Sequence, residues 1–515
     1  MSLVALSAFT RAFDALERIP IQLNRNTLSF FLSGRIFCGP AFARRSIEPK
    51  RRAPPRLRAG GKPASTFPEN ARVAFDLRGR AGAALLAAML TALAAPAAHA
   101  TKIERVVSPG GIEAWVVREP SPLIAVEISF DGGSAQDPAD KAGLANLTAD
   151  LLDDGAGDLD HNAFHDRLER KSISLGFSAG RDHIRGSLRT LSANRDEAFD
   201  YLRLAMTAPR FEQDAVERAR AQLVSRLKRQ TTSPNDLASR AFWQTAFPDH
   251  PYGRPVTGTA ETVARIGVDD LKAFSKRVLA RRKLKIAIVG DIDPAVLGPL
   301  LDRTFGGLPA APDLVPVADV TVHGLGRRIV LPIDVPQAVV TFGTQGIARR
   351  DPDFMTAYVV NYILGGGAFS SRLYQEVREK RGLAYGVSDS LSWFDHAAVL
   401  VGGTATRSAV TGQAIDIIES EMRRLAAEGP TAEEVEDAKS ALDGSYALGL
   451  DTSAKIAGQL VQIQLDNLGI DYIDRRSSMI NAVTLADTKR VAKRLLESGL
   501  LVTVAGKPQG VKSTD

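Results

Sequence analysis

The chain has 515 residues, 44% of them hydrophobic and 24% charged, an ordinary globular composition with length enough for two or more domains. Its formal charge of +6 is unevenly spread: the first 100 residues carry 15 Lys and Arg against 5 Asp and Glu, leaving 50 against 54 in the remainder. The basic excess belongs to the leader, so charge gives no case for a nucleic-acid partner.

Within that leader, Arg78-Gly79-Arg80 precedes an apolar run, Ala81–Ala95, then Pro96 and Ala97-Ala98-His99-Ala100. This order predicts a secretory signal peptide at about 78–100, cleaved before Thr101, and hence a periplasmic or otherwise exported protein. A membrane anchor is the competing reading, but the apolar run is short for a span. The 77 preceding residues point to a translation start further downstream, for example at Val73, or to an organelle transit extension. Cys38, the only cysteine, lies in this leader. The exported chain would hold no disulfide and would rest on packing alone.

Taken in chain order, Glu104–Val107 and Glu113–Val117 flank the turn Pro109-Gly110-Gly111 and predict a hairpin. Ile124–Phe130 alternates apolar and polar as a strand does; Gly143–Leu152 and Asn162–Arg170 predict helices; His183–Leu191 alternates again. Asp196–Met206 and Gln213–Gln230 are amphipathic at helical spacing. Val268–Ala280 predicts a helix leading into the strand Leu284–Val289. After the Pro/Ala-rich run 309–317 the order repeats. Strands are predicted at Arg328–Leu331 and Ala338–Phe342, helices at Asp353–Leu364 and Ser371–Lys380, and strands at Tyr385–Trp393 and Ala398–Gly403. Helices at Gly412–Ala427, Ala432–Leu448 and Leu485–Leu496 and a strand at Leu501–Val504 complete it. Phe211–Arg220 parallels Pro430–Lys439, and Val268–Val278 parallels Thr484–Leu495, which supports duplication. The predicted architecture is α+β: two homologous domains, 101–308 and 328–515, each a mostly antiparallel sheet with helices on one face, joined by a linker at 309–327.

The most informative stretch is Leu364–Tyr385. Gly365-Gly366-Gly367 permits a tight turn, Ser370 or Ser371 can cap the helix that follows, Leu373 and Val377 face a core, and Gly382 stops the helix before Tyr385 opens a strand. Arg378 and Tyr385 stand seven positions apart. The whole pattern closely resembles the second-domain signature of the pitrilysin/insulinase family of zinc peptidases. The resemblance implies that Arg378 and Tyr385, with the glycine turn, meet the substrate; Arg381 is the alternative arginine. A surface ion pair for Arg378 and a core position for Tyr385 are the structural alternatives.

The family's zinc motif, His-x-x-Glu-His, puts two imidazoles on one helix face with a general base between them. Here the same frame, after Gly133-Ser134, reads Asn146-Leu147-Thr148-Ala149-Asp150. Both histidine positions and the base are changed, and the distal glutamate position falls near Val224. The chain is therefore expected to bind no catalytic zinc at that site, and the zinc is expected in a partner. Two other metal-like patterns occur. His161 and His165 have ligand spacing on a predicted helix, with no glutamate between them and a solvated face as the plain alternative. Asp150, Asp153, Asp154, Asp158 and Asp160 form an acidic run without the spacing of a calcium loop. His250-Pro251-Tyr252-Gly253 reads as a loop landmark of the family with no catalytic role.

By resemblance to mitochondrial processing peptidase and bacterial two-subunit relatives, the leading expectation is a zinc-less subunit. It would offer Arg378 and Tyr385 to extended peptides held with a homologous zinc-bearing chain, and be inactive alone. A scaffold, like core subunits of the respiratory cytochrome complex, and a peptide-capturing protein are the alternatives.

Overall fold

The computed structural model describes residues 102–514; Cys38 and the expected signal peptide lie outside them. The first half runs β1 (Ile103–Val107), β2 (Glu113–Arg118), β3 (Leu123–Asp131), α1 (Leu144–Leu151), α2 (His161–Arg170), β4 (Ser174–Ala179), β5 (His183–Leu191), α3 (Arg195–Thr207), α4 (Gln213–Gln230), α5 (Pro234–Ala246), α6 (Val268–Val278), β6 (Lys285–Gly290) and α7 (Pro294–Phe305). The second runs β7 (Arg328–Leu331), β8 (Gln337–Gln345), α8 (Phe354–Asn361), α9 (Arg372–Tyr374), β9 (Ala384–Trp393), β10 (Ala398–Arg407), α10 (Thr411–Glu428), α11 (Ala432–Leu448), α12 (Ser453–Leu465), α13 (Tyr472–Asn481), α14 (Leu485–Leu496) and β11 (Leu501–Ala505).

The two sheets have the orders β1-β2-β6-β3-β5-β4 and β7-β11-β8-β10-β9. Apart from the extra β1 they match strand for strand, and each contains one parallel pair, β2 with β6 and β7 with β11, among antiparallel neighbours. The duplication read from two helix motifs is thus present in the topology. Each half packs its own helices on one sheet face. Ile124, Val126, Ile128 and Phe130 meet Leu147, Phe164 and Phe199 in the first core. Val340 and Phe342 meet Val360, Leu373, Ile418 and Val491 in the second.

The other face differs from expectation, because each half lends a helix to its neighbour. From the first half, α5 lies on β8 and β11 of the second sheet. Its Phe242 and Ala246 pack with Val399 and Leu501, and Thr503 Oγ1 donates to the Ala238 carbonyl at 2.8 Å. A Cβ on Gly343 would stand 2.6 Å from the Phe242 ring, so the glycine makes room for it. Reciprocally, α12 lies on β3 and β6, where Ile456, Leu460 and Val461 pack on Val117, Ala287 and Val289. Gln464 Nε2 donates to the Ile286 carbonyl at 3.0 Å.

The Pro/Ala-rich connector behaves as a strap and not as a loose linker. It has no regular element between Phe305 and Arg328, yet its backbone is pinned at several points. Asp313 N bonds the Arg277 carbonyl, Val315 N the Gln136 side chain, Val320 N the His396 carbonyl and His323 N the Ala246 carbonyl.

A polar cluster completes the joint. Tyr252, fully buried, donates its hydroxyl to Asp182 and accepts from His396 N at 3.1 Å; Asp182 also accepts from Asp395 N. The His250–Gly253 landmark is therefore a structural seam between the halves. His183 stands beside Asp131 of its own half, 3.6 Å away, and Asp395 of the other, 3.5 Å away. Burial disfavours its charge, but the two carboxylates outweigh burial and raise the imidazole to about 9. A folded-state value above the free value of about 6.5 supports the fold fully below pH 6.5, and the support is lost as pH rises toward 9. Thermal melting of the chain is expected to drop across that window by the equivalent of roughly 3 kcal/mol, and His183→Gln is expected to flatten the drop. A melting temperature constant from pH 6.5 to 9 would contradict it.

Candidate functional site

The site begins at α8, which is buried nearly all round and widens at Tyr362–Gly366 into a π-helical turn. Such local widening is rare in helices and frequent near functional sites. None of Gly365, Gly366 and Gly367 adopts a left-handed backbone; that conformation falls on Ala368, at φ 48°. These glycines serve close approach instead. A Cβ on Gly365 would fall 2.6 Å from Asp389 Oδ1, and one on Gly367 would fall 2.7 Å from the Tyr362 carbonyl oxygen. Gly365 and Gly367 are buried, so they position the turn and present no surface to a peptide; Gly366 alone is exposed. Beneath them Asp389 is enclosed, and burial pushes its carboxyl well above the carboxylate range although Asn361 Nδ2 donates to it at 2.6 Å.

Neither serine caps as expected. Ser371 occupies the cap position, but its hydroxyl donates back to the Ala368 carbonyl, as Ser370 does to Gly367. The helix α9 continues as a second π-helical turn, Gln375–Glu379. Leu373 and Val377 anchor it in the core. It stops at Gly382, φ +59°, whose N–H bonds the Arg378 carbonyl while Leu383 N–H bonds that of Val377. This left-handed glycine stop turns the chain directly into β9.

The two candidate arginines separate cleanly. Arg381 donates to both the backbone and the carboxylate of Glu376, and Lys380 joins the same carboxylate at 2.6 Å. Among the described residues, Arg378 has one loose ion pair, Nε to Glu379 Oε1 at 3.8 Å. Its guanidinium lies 4.8 Å over the Tyr374 ring and 4.9 Å over the Tyr385 ring. Stacking on two rings holds the planar fork while leaving its donors available.

Tyr385 is 78% exposed, and its hydroxyl has no hydrogen-bond partner among the described residues. Its direction follows from a bulge: Thr404 pairs with Val387 and Thr406 with Ala384, so Tyr385 and Gly386 oppose the single residue Ala405. Thr404 Oγ1 donates to the Gly386 carbonyl at 2.7 Å and fixes the bulge. Irregularities of this kind re-aim a side chain. A half-buried Arg378 and an exposed Tyr385 therefore form one donor pair at the outermost strand of the second sheet.

On α1 the altered zinc frame is equally clear. Gly143 opens the helix at φ +99°, and Asp137 accepts from Gly143 N and Ala145 N. Ala149 is buried among core residues. Asp150 is exposed, and Arg226 of α4 acts on it electrostatically. Asn146 Oδ1 is buried and without a hydrogen-bond partner among the described residues. Val224 packs partly buried against the same core, where a distal carboxylate would have to stand. One amide, one carboxylate, a methyl and an isopropyl group with no imidazole do not fit zinc, which takes three protein ligands at catalytic sites, and no water-activating step is available there.

The acidic run is divided among separate tasks: Asp160 caps α2 by accepting from Ala163 N, while Asp154 meets His161 and His165. That last contact was not legible in the helical spacing, because Asp154 belongs to the preceding loop.

Two family profiles match the chain: one described as insulinase (peptidase family M16) over residues 115–260, the other as the peptidase M16 inactive domain over 265–442. The chain belongs to the M16 family. Among its M16 relatives, a protein of Helicobacter pylori described as a non-peptidase homolog is 28% identical over 338 residues, 64% of this chain and 76% of the relative. An uncharacterized zinc protease of Mycobacterium leprae is 27% identical over 429 residues, 81% of this chain and 94% of the relative. The solved M16 inactive domain of Pseudomonas fluorescens superposes with a TM-score of 0.74 at 26% identity, covering 80% of this chain and all of that one. These likenesses accord with an M16 member that lacks the zinc machinery.

Proposed function

We propose that this chain is the zinc-less subunit of a two-chain M16 peptidase. It binds extended peptides and presents Arg378 and Tyr385 to a scissile carbonyl that a homologous partner, bearing His-x-x-Glu-His and zinc, attacks. The observation that carries this reading is the Arg378–Tyr385 pair. A scaffold has no use for a phenol 78% exposed beside a guanidinium held over its ring. The outer edge of β9 is suited to adding a peptide strand by backbone hydrogen bonds. A signal peptide at 78–100 would place the assembly in the periplasm or an equivalent exported compartment.

The test mixes the full chain with a zinc-bearing M16 homologue from the same genome and follows cleavage of an unfolded peptide. Cleavage that needs both chains and stops on chelation is the expected result. Cleavage by this chain alone, or by the partner alone at the rate of the mixture, would overturn the proposal. Peptide binding by the mixture without cleavage would favour the capture protein instead.

A further inference from the structure

We propose that Asp154, His161 and His165 form a binding site for a divalent transition-metal cation of the zinc class. Among the described residues, they are the one group of three or more His, Cys, Asp or Glu side chains whose ligand atoms all lie within 4.8 Å of one another. The site uses none of positions 146, 149, 150 and 224.

The geometry arises in three steps. Helical spacing places His161 and His165 one turn apart on α2, with ring centroids 4.6 Å from each other. The loop between α1 and α2 then brings Asp154 against both rings: its Oδ1 contacts His161 Nδ1 closely and lies 3.7 Å from His165 Nε2. Finally, the loop is held in place. Gly155 turns it at φ +107°, where a Cβ would meet the backbone of Leu159, Asp160 and His161. Ala156 and Leu159 exchange backbone hydrogen bonds, Gly157 N bonds the Ala208 carbonyl, and Arg210 N bonds that of Gly155. Arg210 Nη1 adds a bond to the Gly157 carbonyl at 3.0 Å.

Two imidazoles and one carboxylate on such a frame are a donor set for zinc-class cations, and three protein ligands leave a position open for water or another donor. His161 and His165 are each a little over 40% exposed, which leaves an entry path. The cation would clip the loop to α2 and stabilise the folded chain by mass action.

The experiment measures zinc bound to the untagged full chain after equilibrium dialysis, and the visible spectrum of the cobalt-substituted protein. One equivalent of zinc and a cobalt spectrum with imidazole coordination are expected, together with a zinc-dependent rise in melting temperature. Removing a group that only hydrogen-bonds a metal ligand typically weakens metal sites about 10- to 100-fold, so His161→Ala/His165→Ala is expected to lose more than that. Asp154→Asn is expected to weaken binding with melting in metal-free buffer unchanged, and Asn146→Ala/Asp150→Ala is expected to retain the full equivalent. Absence of bound zinc in the unaltered chain, or equal binding by the double-histidine variant, would overturn the proposal.

Discussion

Replacing Tyr385 by Phe is expected to lower kcat/KM of the two-chain assembly by about 10²- to 10³-fold, the usual effect of removing one donor to a developing oxyanion. The ring stays, so its stacking with Arg378 stays, and only the hydroxyl is lost. Because the side chain is 78% exposed, melting temperature and co-purification with the partner are expected to be unchanged, which separates a chemical role from a folding one. Arg378→Ala should fall in the same range. Arg381→Ala should be far milder for turnover, since that guanidinium is already occupied by Glu376. If Tyr385→Phe cleaves at the parent rate, the assignment of the pair fails. If Arg381→Ala is the crippling change, the roles of the two arginines are exchanged.

Much of this site was legible because its signals are local. The three glycines, the stop at Gly382 and the tyrosine after it specify a turn, a short helix and a strand within 22 residues. The two contacts that choose between Arg378 and Arg381 were not legible, since Glu376 serves Arg381 only through a π-helical widening that sequence spacing does not reveal. The exchanged helices were missed for a different reason. In α5 the buried stripe is Ala238, Phe242 and Ala246, narrow and mostly small, and its start, Ser233-Pro-Asn-Asp236, looks like a turn. In α12 apolar residues surround Gly458 with weak asymmetry, because the helix is covered on more than one side. Strand β4 escaped notice because it lies at the sheet edge with no fully buried residue, so its apolar alternation is weak. A helix that serves another half's sheet obeys a pattern set elsewhere in the chain.

Phe242→Ala is expected to cost about 3–5 kcal/mol, the range for emptying a buried aromatic site. The ring is fully buried, with Trp243 edge-on to it, and Gly343 exists to admit it. A glycine cannot grow to refill the space, so the cavity persists. The loss falls at the contact between α5 and the second sheet, so the expected signature goes beyond a lower midpoint: denaturant unfolding should broaden or split as the halves uncouple. Leu460→Ala on α12 should reproduce this from the other side at about 2–5 kcal/mol. A single sharp transition with a shift below about 1 kcal/mol in both variants would show that the exchanged helices do not couple the halves.

The reciprocal loan of α5 and α12 also constrains how the polypeptide comes into being. Strands β2 and β6 are synthesised long before Ser453–Leu465, and until that segment exists the surface formed by Val117, Ala287 and Val289 has nothing to cover it. The amino-terminal half must therefore wait, incompletely shielded, for almost the whole remaining chain. Under the export proposed for this chain, such a late final closure would delay compaction until translocation is nearly finished.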